Sequence, residues 1–180
     1  MGAPKAGVRL SSGKTLARAV ADALAQVCDD VVVLGHGEGC PEELSRLEDP
    51  PGEAGPLAGI HALLRSGLGG RYLVVSCDMP MLSPSLLARL LDVGGKADAA
   101  CFQVEGRDRL EPLPLLLTPV ALPSVEEQLS RADLRLMSFV EALHPERLPL
   151  SRVAAEALAN VNRPEDLARL PVIDPQGRVS

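Results

Sequence analysis

The sequence predicts an α/β fold in which helices alternate with the strands of a mostly parallel sheet. Apolar residues recur at helical spacing over residues 15–28, and an unbroken Val-Val-Val-Leu run follows at 31–34. An uninterrupted apolar run that ends in glycine is typical of a strand covered on both faces, as strands of parallel sheets are. A short helical stretch at 57–65 then leads to a second apolar run at 72–77, which completes a β-α-β unit.

The local signals support these elements in order along the chain. Thr15 is expected to cap the first helix. Ser83 is expected to cap the helix over 83–91, with Pro84 in its first turn. The remaining predicted elements are a helix or turn at 41–47, strands at 97–104 and 113–117, helices at 120–130 and 134–142, an extended piece near 147–150, and a terminal helix from 164 to about 170. Residues 1–170 are therefore expected to form one domain, and residues 171–180 a loose tail.

Composition excludes several classes of function. The net charge is −6 with scattered basic residues, and the only aromatic residues are Tyr72, Phe102 and Phe139, so a nucleic-acid partner is not expected. The N-terminal residues contain no apolar run, so neither a leader nor a membrane anchor is expected there. This favours a cytoplasmic protein without membrane contact. The four cysteines stand far apart with no C-x-x-C pair and are expected to be reduced thiols.

Two glycine motifs are weak evidence for a nucleotide site. The segment at 11–15 ends in Gly-Lys-Thr, but Val8 stands where a P-loop needs its first glycine. The glycines at 35, 37 and 39 follow a strand with a spacing that does not fit the dinucleotide-binding motif. A helix-capping turn and a flexible turn, respectively, are the better interpretations.

Asp78 is the strongest candidate for a functional residue. It directly follows the predicted strand at 72–77, and ligands of such sheets bind beyond the carboxyl ends of the strands. A Mg²⁺ ion typically takes one or two carboxylates together with substrate phosphates. The alternative is that Asp78 only accepts hydrogen bonds from turn amides, as aspartate often does.

Asp49 precedes a second candidate feature, the Gly-Pro-Leu-Ala-Gly-Ile segment at 55–60. A glycine turn that enters a helix offers amide donors and the positive end of the helix dipole to an anionic ligand. On its own, an aspartate beside prolines is more often a solvated turn residue.

Three motifs together carry a family resemblance. Residues 55–60, the Cys-Asp-Met-Pro at 77–80 and the Asn-Val-Asn-Arg-Pro-Glu-Asp-Leu at 160–167 resemble the molybdenum cofactor guanylyltransferases in order and separation. The segment Gly106-Arg107-Asp108 followed by Pro112-Leu113-Pro114-Leu115 is similar to the part of that family on the pterin side. The resemblance extends from residue 1 to about residue 170. It implies a Rossmann-like, three-layer nucleotidyltransferase fold.

The resemblance also implies a reaction and its residues. Members of the family join GMP from GTP to the phosphate of molybdopterin, release pyrophosphate and require Mg²⁺. By the motif matches, Asp78 would be the metal ligand and a contact of the GTP phosphates, Asp49 a GTP contact, and Lys5 a phosphate contact that stabilises developing charge. Asn160 and Asn162 match a pair near the active centre of related enzymes, although an Asn-rich turn before a helix explains them equally well. A monomer, with transient contact to molybdoenzyme maturation proteins, is expected.

The sequence departs from the family pattern at its beginning and at Leu34. The family opens with a buried strand and a glycine-rich loop, and both are absent here, whereas Leu34 stands where the family commonly has Asn as a GTP contact. Either the gene starts roughly 20 residues upstream, the length of a strand and a turn, or the chain is a shortened paralogue. Three functions therefore remain: guanylyl transfer, transfer of another nucleotide (cytidylyl or sugar-nucleotide), and binding of a nucleotide or pterin without catalysis.

Overall fold

The computed structural model describes residues 5–37, 39–93, 97–161 and 166, with the backbone alone at Lys5. The helices are α1 (Leu16–Leu24), α2 (Pro56–Ser66), α3 (Pro84–Val93), α4 (Leu122–Ser130) and α5 (Leu136–Ala142), with single-turn 3-10 segments at Lys5–Gly7, Pro119–Ala121 and Ala154–Leu158. The strands are β1 (Val32–Leu34), β2 (Ser45–Leu47), β3 (Tyr72–Val74), β4 (Ala99–Val104), β5 (Leu110–Leu117) and β6 (Glu146–Leu150).

The expected helix caps are confirmed. The Thr15 hydroxyl accepts a hydrogen bond from the Arg18 N–H at 3.2 Å, which satisfies one of the free donors at the start of α1. The Ser83 hydroxyl likewise accepts a hydrogen bond from the Leu86 N–H at 3.3 Å, at the start of α3.

None of the described helices is long and apolar enough to cross a membrane. The expected terminal helix, apart from Asp166 in helical conformation, and the expected tail lie outside the described residues.

The four-stranded sheet has the order β3-β5-β4-β6 and is mixed in direction. The pair β4 and β6 is parallel, whereas β5 runs antiparallel to both of its neighbours. The reason is that only a short turn at 105–109 separates β4 from β5, and a short turn can join only antiparallel strands. The predicted α/β class is confirmed, and β5 is the departure from a mostly parallel sheet.

Helices cover both faces of this sheet, which gives the expected three layers. Alternation along β5 sends Leu115 and Leu117 into one cluster and Leu116 into the other. The first cluster is closed by apolar residues of α2, α4 and α5, and the second by residues of α3 and the end of α1. Phe102 and Phe139, the two large aromatic side chains without a polar group, are fully buried on opposite faces.

The strands β1 and β2 form a separate parallel pair. The expected helix or turn at 41–47 is therefore wrong at its last three residues, which are extended because they pair with β1. A largely apolar cavity of about 890 Å³ is lined by β1, β3 and the buried side of α1. The strand at 31–34 was expected to be covered on both faces, but Val32, Val33 and Leu34 are only half-buried. The cause is this opening, because no strand of the described residues pairs with β1 on the side away from β2.

Candidate active site

Asp78 lies in the turn that follows β3, where chain direction changes before α3. Its side chain is almost buried, at 8% exposure of the residue. The Ser76 hydroxyl donates to Asp78 Oδ1 at 2.6 Å, and this bond fixes the rotamer of the carboxylate. The carboxylate is therefore held in one orientation beyond the end of β3.

The C-terminal segment crosses this turn. The Val161 N–H donates to the Asp78 carbonyl oxygen at 2.8 Å, and the Val161 side chain is buried. The hydrogen bond therefore brings the Asn-Val-Asn motif to the Asp78 turn. Asn160 is exposed beside it, and Asn162 lies outside the described residues.

The start of α2 has no side-chain cap. Gly55 precedes the helix with φ of 81°, a conformation that side chains rarely adopt, and no side chain caps the first turn. Pro56 occupies the first helical position, where its missing N–H costs nothing. The Ala58 N–H donates to the Gly55 carbonyl oxygen at 3.1 Å, so within this turn the Leu57 N–H is the donor left for an anionic group.

Asp49 follows β2, and its carboxylate lies against two glycines. A Cβ built on Gly35 would stand 3.3 Å from both carboxylate oxygens, and one built on Gly59 would stand 3.8 Å from Oδ1. Gly59 also lets α2 approach β1, since its Cβ would stand 2.9 Å from the Leu34 Cβ. The two glycines therefore shape the space that Asp49 occupies.

The structure arranges the sequence-derived residues on separate segments. Asp78 follows β3 and Asp49 follows β2, each at the carboxyl end of its strand. Lys5 begins the 3-10 turn ahead of α1, and the position of its ammonium group lies outside the description. Its neighbour Ala6 is buried and lines the cavity between β1 and β3.

The donor set fits a hard divalent ion that is shared with a substrate. Within the described ranges, no group of three or more His, Cys, Asp or Glu side chains could hold a metal by itself. A metal here would rest on one or two carboxylates and on substrate phosphates, which is the usual coordination of Mg²⁺. Asp78, with one oxygen already oriented by Ser76, meets that requirement.

Two residues beside the site were not singled out from the sequence. Ser76 orients the Asp78 carboxylate, and Val161 holds the Asp78 backbone. A serine two residues before the aspartate of a turn is a recognisable local signal. Val161 lies within the Asn-Val-Asn motif, but no local pattern could have predicted its bond to Asp78, because the two residues are distant in the chain.

Solved structures share the fold. One titled molybdopterin-guanine dinucleotide biosynthesis protein A, from Archaeoglobus fulgidus, superposes with a TM-score of 0.67 over 92% of this chain and 88% of that one, at 24% identity. A 2-C-methyl-D-erythritol 4-phosphate cytidylyltransferase from Thermus thermophilus superposes with a TM-score of 0.69 over 94% of this chain and 92% of that one, at 22% identity. These likenesses confirm the Rossmann-like nucleotidyltransferase fold.

Sequence relatives narrow the assignment. A probable molybdenum cofactor guanylyltransferase of Chloroflexus aggregans is 32% identical over 84% of this chain and 76% of its own length. A protein of the same description from Pelotomaculum thermopropionicum is 29% identical over 92% of this chain and 83% of its own length. The model of the MobA-like NTP transferase domain matches residues 1–148. That match covers most of the chain, and the chain therefore belongs to the MobA-like NTP transferase domain family.

Proposed function

We propose that the protein transfers GMP from GTP to the phosphate of molybdopterin and releases pyrophosphate. The observation that carries the proposal is the Asp78 turn, in which a nearly buried carboxylate stands at a strand end with one oxygen oriented by Ser76. Membership in the NTP transferase family supports the reaction type, and the relatives described as guanylyltransferases support the choice of GTP and molybdopterin.

The chemistry requires positioning and charge stabilisation more than covalent catalysis. An oxygen of the acceptor phosphate forms a bond to the α-phosphorus of GTP, and the bond from that phosphorus to the bridging oxygen of the β-phosphate breaks. Mg²⁺, when bound, would neutralise part of the triphosphate charge. Asp78 would hold the ion, Lys5 would stabilise phosphate charge, and Asp49 with the Leu57 N–H at the start of α2 would orient the nucleotide.

One observation favours a second candidate, the transfer of a different nucleotide. The Leu34 side chain is partly buried against the α2 core cluster, and its Cβ faces Gly59. The leucine side chain cannot donate or accept a hydrogen bond, so it cannot supply the side-chain base contact that asparagine makes in the resembled family. Cytidylyl or sugar-nucleotide transfer uses the same metal carboxylate and remains the alternative.

The four cysteines agree with a reaction in the cytoplasm. All four lie within the described residues, and none of them forms a disulfide. Burial raises the pKa of the Cys28, Cys40 and Cys101 thiols, and this disfavours the thiolate that oxidation requires. We include a cytoplasmic location and transient contact with molybdoenzyme maturation proteins in the proposal.

Pyrophosphate release tests the proposal directly. The protein is incubated with Mg²⁺, molybdopterin and either GTP or CTP, and pyrophosphate is measured in each mixture. Release with GTP that needs both molybdopterin and Mg²⁺ supports guanylyl transfer, whereas release with CTP alone supports the second candidate. Tight nucleotide binding without pyrophosphate from either mixture would contradict catalysis and indicate a binding protein.

A further inference from the structure

A buried histidine on α2 connects that helix to the loop before it. His61 is 6% exposed, and its Nδ1 lies 2.9 and 2.8 Å from the two carboxylate oxygens of Glu53. A carboxylate can only accept a hydrogen bond, so Nδ1 must carry a proton. The pair is short and charge-assisted, and it is well shielded because the Glu53 side chain is only 23% exposed.

The second ring nitrogen of His61 faces another helix. Nε2 stands 3.5 Å from the Glu126 Oε1 on α4, and it is buried without a hydrogen-bond partner among the described residues. A histidine that served only the core would be expected to have both nitrogens satisfied. This imidazole instead lies between two carboxylates, one on α4 and one on the loop, and its strong bond goes to the loop.

Glu53 closes a tight turn in that loop. The Glu53 N–H donates to the Pro50 carbonyl at 3.0 Å, and Gly52 in between has φ of 82°. Asp49 stands immediately before this turn, and Gly55 stands two residues after Glu53. A bond from His61 to Glu53 therefore holds the middle of the segment, between the aspartate and the uncapped start of α2.

We infer that His61 is a positioning residue for nucleotide binding, acting through Glu53 on the loop at 49–55. The bond fixes the path of the loop before ligand arrives, so that Asp49 and the start of α2 stand in one arrangement. A preformed loop lowers the entropy cost of binding, and its loss weakens affinity more than it slows chemistry. The inference rests on the proposed function in taking the ligand of this loop to be a nucleotide.

Kinetics of matched variants test this role. His61→Leu removes the donor, and we expect the KM for GTP to rise roughly tenfold, equivalent to the loss of one good hydrogen bond, with kcat within about twofold. His61→Gln keeps an N–H donor and should recover part of the affinity. Leu64→Val is the control, because Leu64 is equally buried on α2 and is not a partner of Glu53. An unchanged KM in His61→Leu, or an equal rise in Leu64→Val, would overturn the inference.

Amide hydrogen exchange supplies a readout that needs no turnover. In the free protein, His61→Leu and Glu53→Ala should each speed exchange at residues 52–55, while Leu64→Val should leave it unchanged. The double variant should exchange no faster than either single one, since both remove the same bond. If the unaltered protein releases no pyrophosphate with any nucleotide, the proposed function fails. The positioning role of His61 is then tested by the GTP affinity and the amide exchange rates of the variants. Equal exchange in all variants would refute the positioning role.

Discussion

The Val161 N–H donates a 2.8 Å hydrogen bond to the carbonyl oxygen of Asp78. This bond joins the segment that follows the 3-10 turn Ala154–Leu158 to the turn that carries the candidate metal carboxylate. The same turn is held from within by the Ser76 hydroxyl on Asp78 Oδ1. Backbone and side chain of Asp78 are thus fixed by different residues, which gives the carboxylate one orientation in the absence of a ligand.

Asp78→Asn should abolish pyrophosphate release while leaving the fold intact. The amide keeps the shape of the side chain and can still accept from Ser76, but it lacks the negative charge that a divalent ion requires. We expect a loss of at least about a hundredfold in kcat, the scale seen when one charge-stabilising group is removed, and an unaltered circular dichroism spectrum. Asp92→Asn on the exposed side of α3 is the matched control. Full activity in Asp78→Asn would remove this residue from the mechanism.

Val161→Pro should raise the Mg²⁺ concentration needed for half-maximal activity. Proline lacks the N–H, so the carbonyl of the buried residue Asp78 loses its partner at a cost of about 1–3 kcal/mol and the turn loosens. Val161→Ala removes buried methyl groups and keeps the donor. It should lower Tm and leave the Mg²⁺ requirement unchanged. The same Mg²⁺ requirement in both variants would show that the hydrogen bond does not position Asp78.

Gly59→Ala should destabilise the protein although alanine favours a helix. The added Cβ would stand 2.9 Å from the Leu34 Cβ, closer than such atoms approach, so α2 must move away from β1. Overpacking of this kind costs about 1–3 kcal/mol, which exceeds the helix propensity gain of about 1 kcal/mol. Thermal unfolding should therefore show a lower Tm. Gly70→Ala, with open space around the new Cβ, should leave Tm nearly unchanged. The same Tm in both variants would argue against close packing at Gly59.

Cys101 should resist thiol reagents in the folded protein and make stability fall at high pH. Burial raises the pKa of its thiol from 9.0 to about 11, so the folded state keeps the proton longer than the unfolded state does. Its contribution to the free energy of unfolding is complete below pH 9 and is lost as pH rises from 9 to about 11. Urea unfolding of the natural protein and of Cys101→Val across this range measures the difference. A constant difference between the two would contradict the shift.

The sequence alone determined the features that depend on neighbouring residues. Apolar periodicity predicted α1 and the strand at 31–34, hydroxyl residues predicted the caps at Thr15 and Ser83, and the end of an apolar run marked Asp78. These signals are local because backbone hydrogen bonding and capping involve residues within a few positions of each other. The three layers follow from the same patterns, since elements with one apolar face must bury it.

The tertiary structure decided the features that depend on distant residues. It placed β5 antiparallel between β3 and β4, left β1 half-buried beside a cavity, set Asp49 against Gly35 and Gly59, and bound Val161 to Asp78. Each of these depends on how separate segments meet when the chain closes. Residue spacing along the sequence carries no measure of that distance, so only the packed chain could show which groups surround the candidate site.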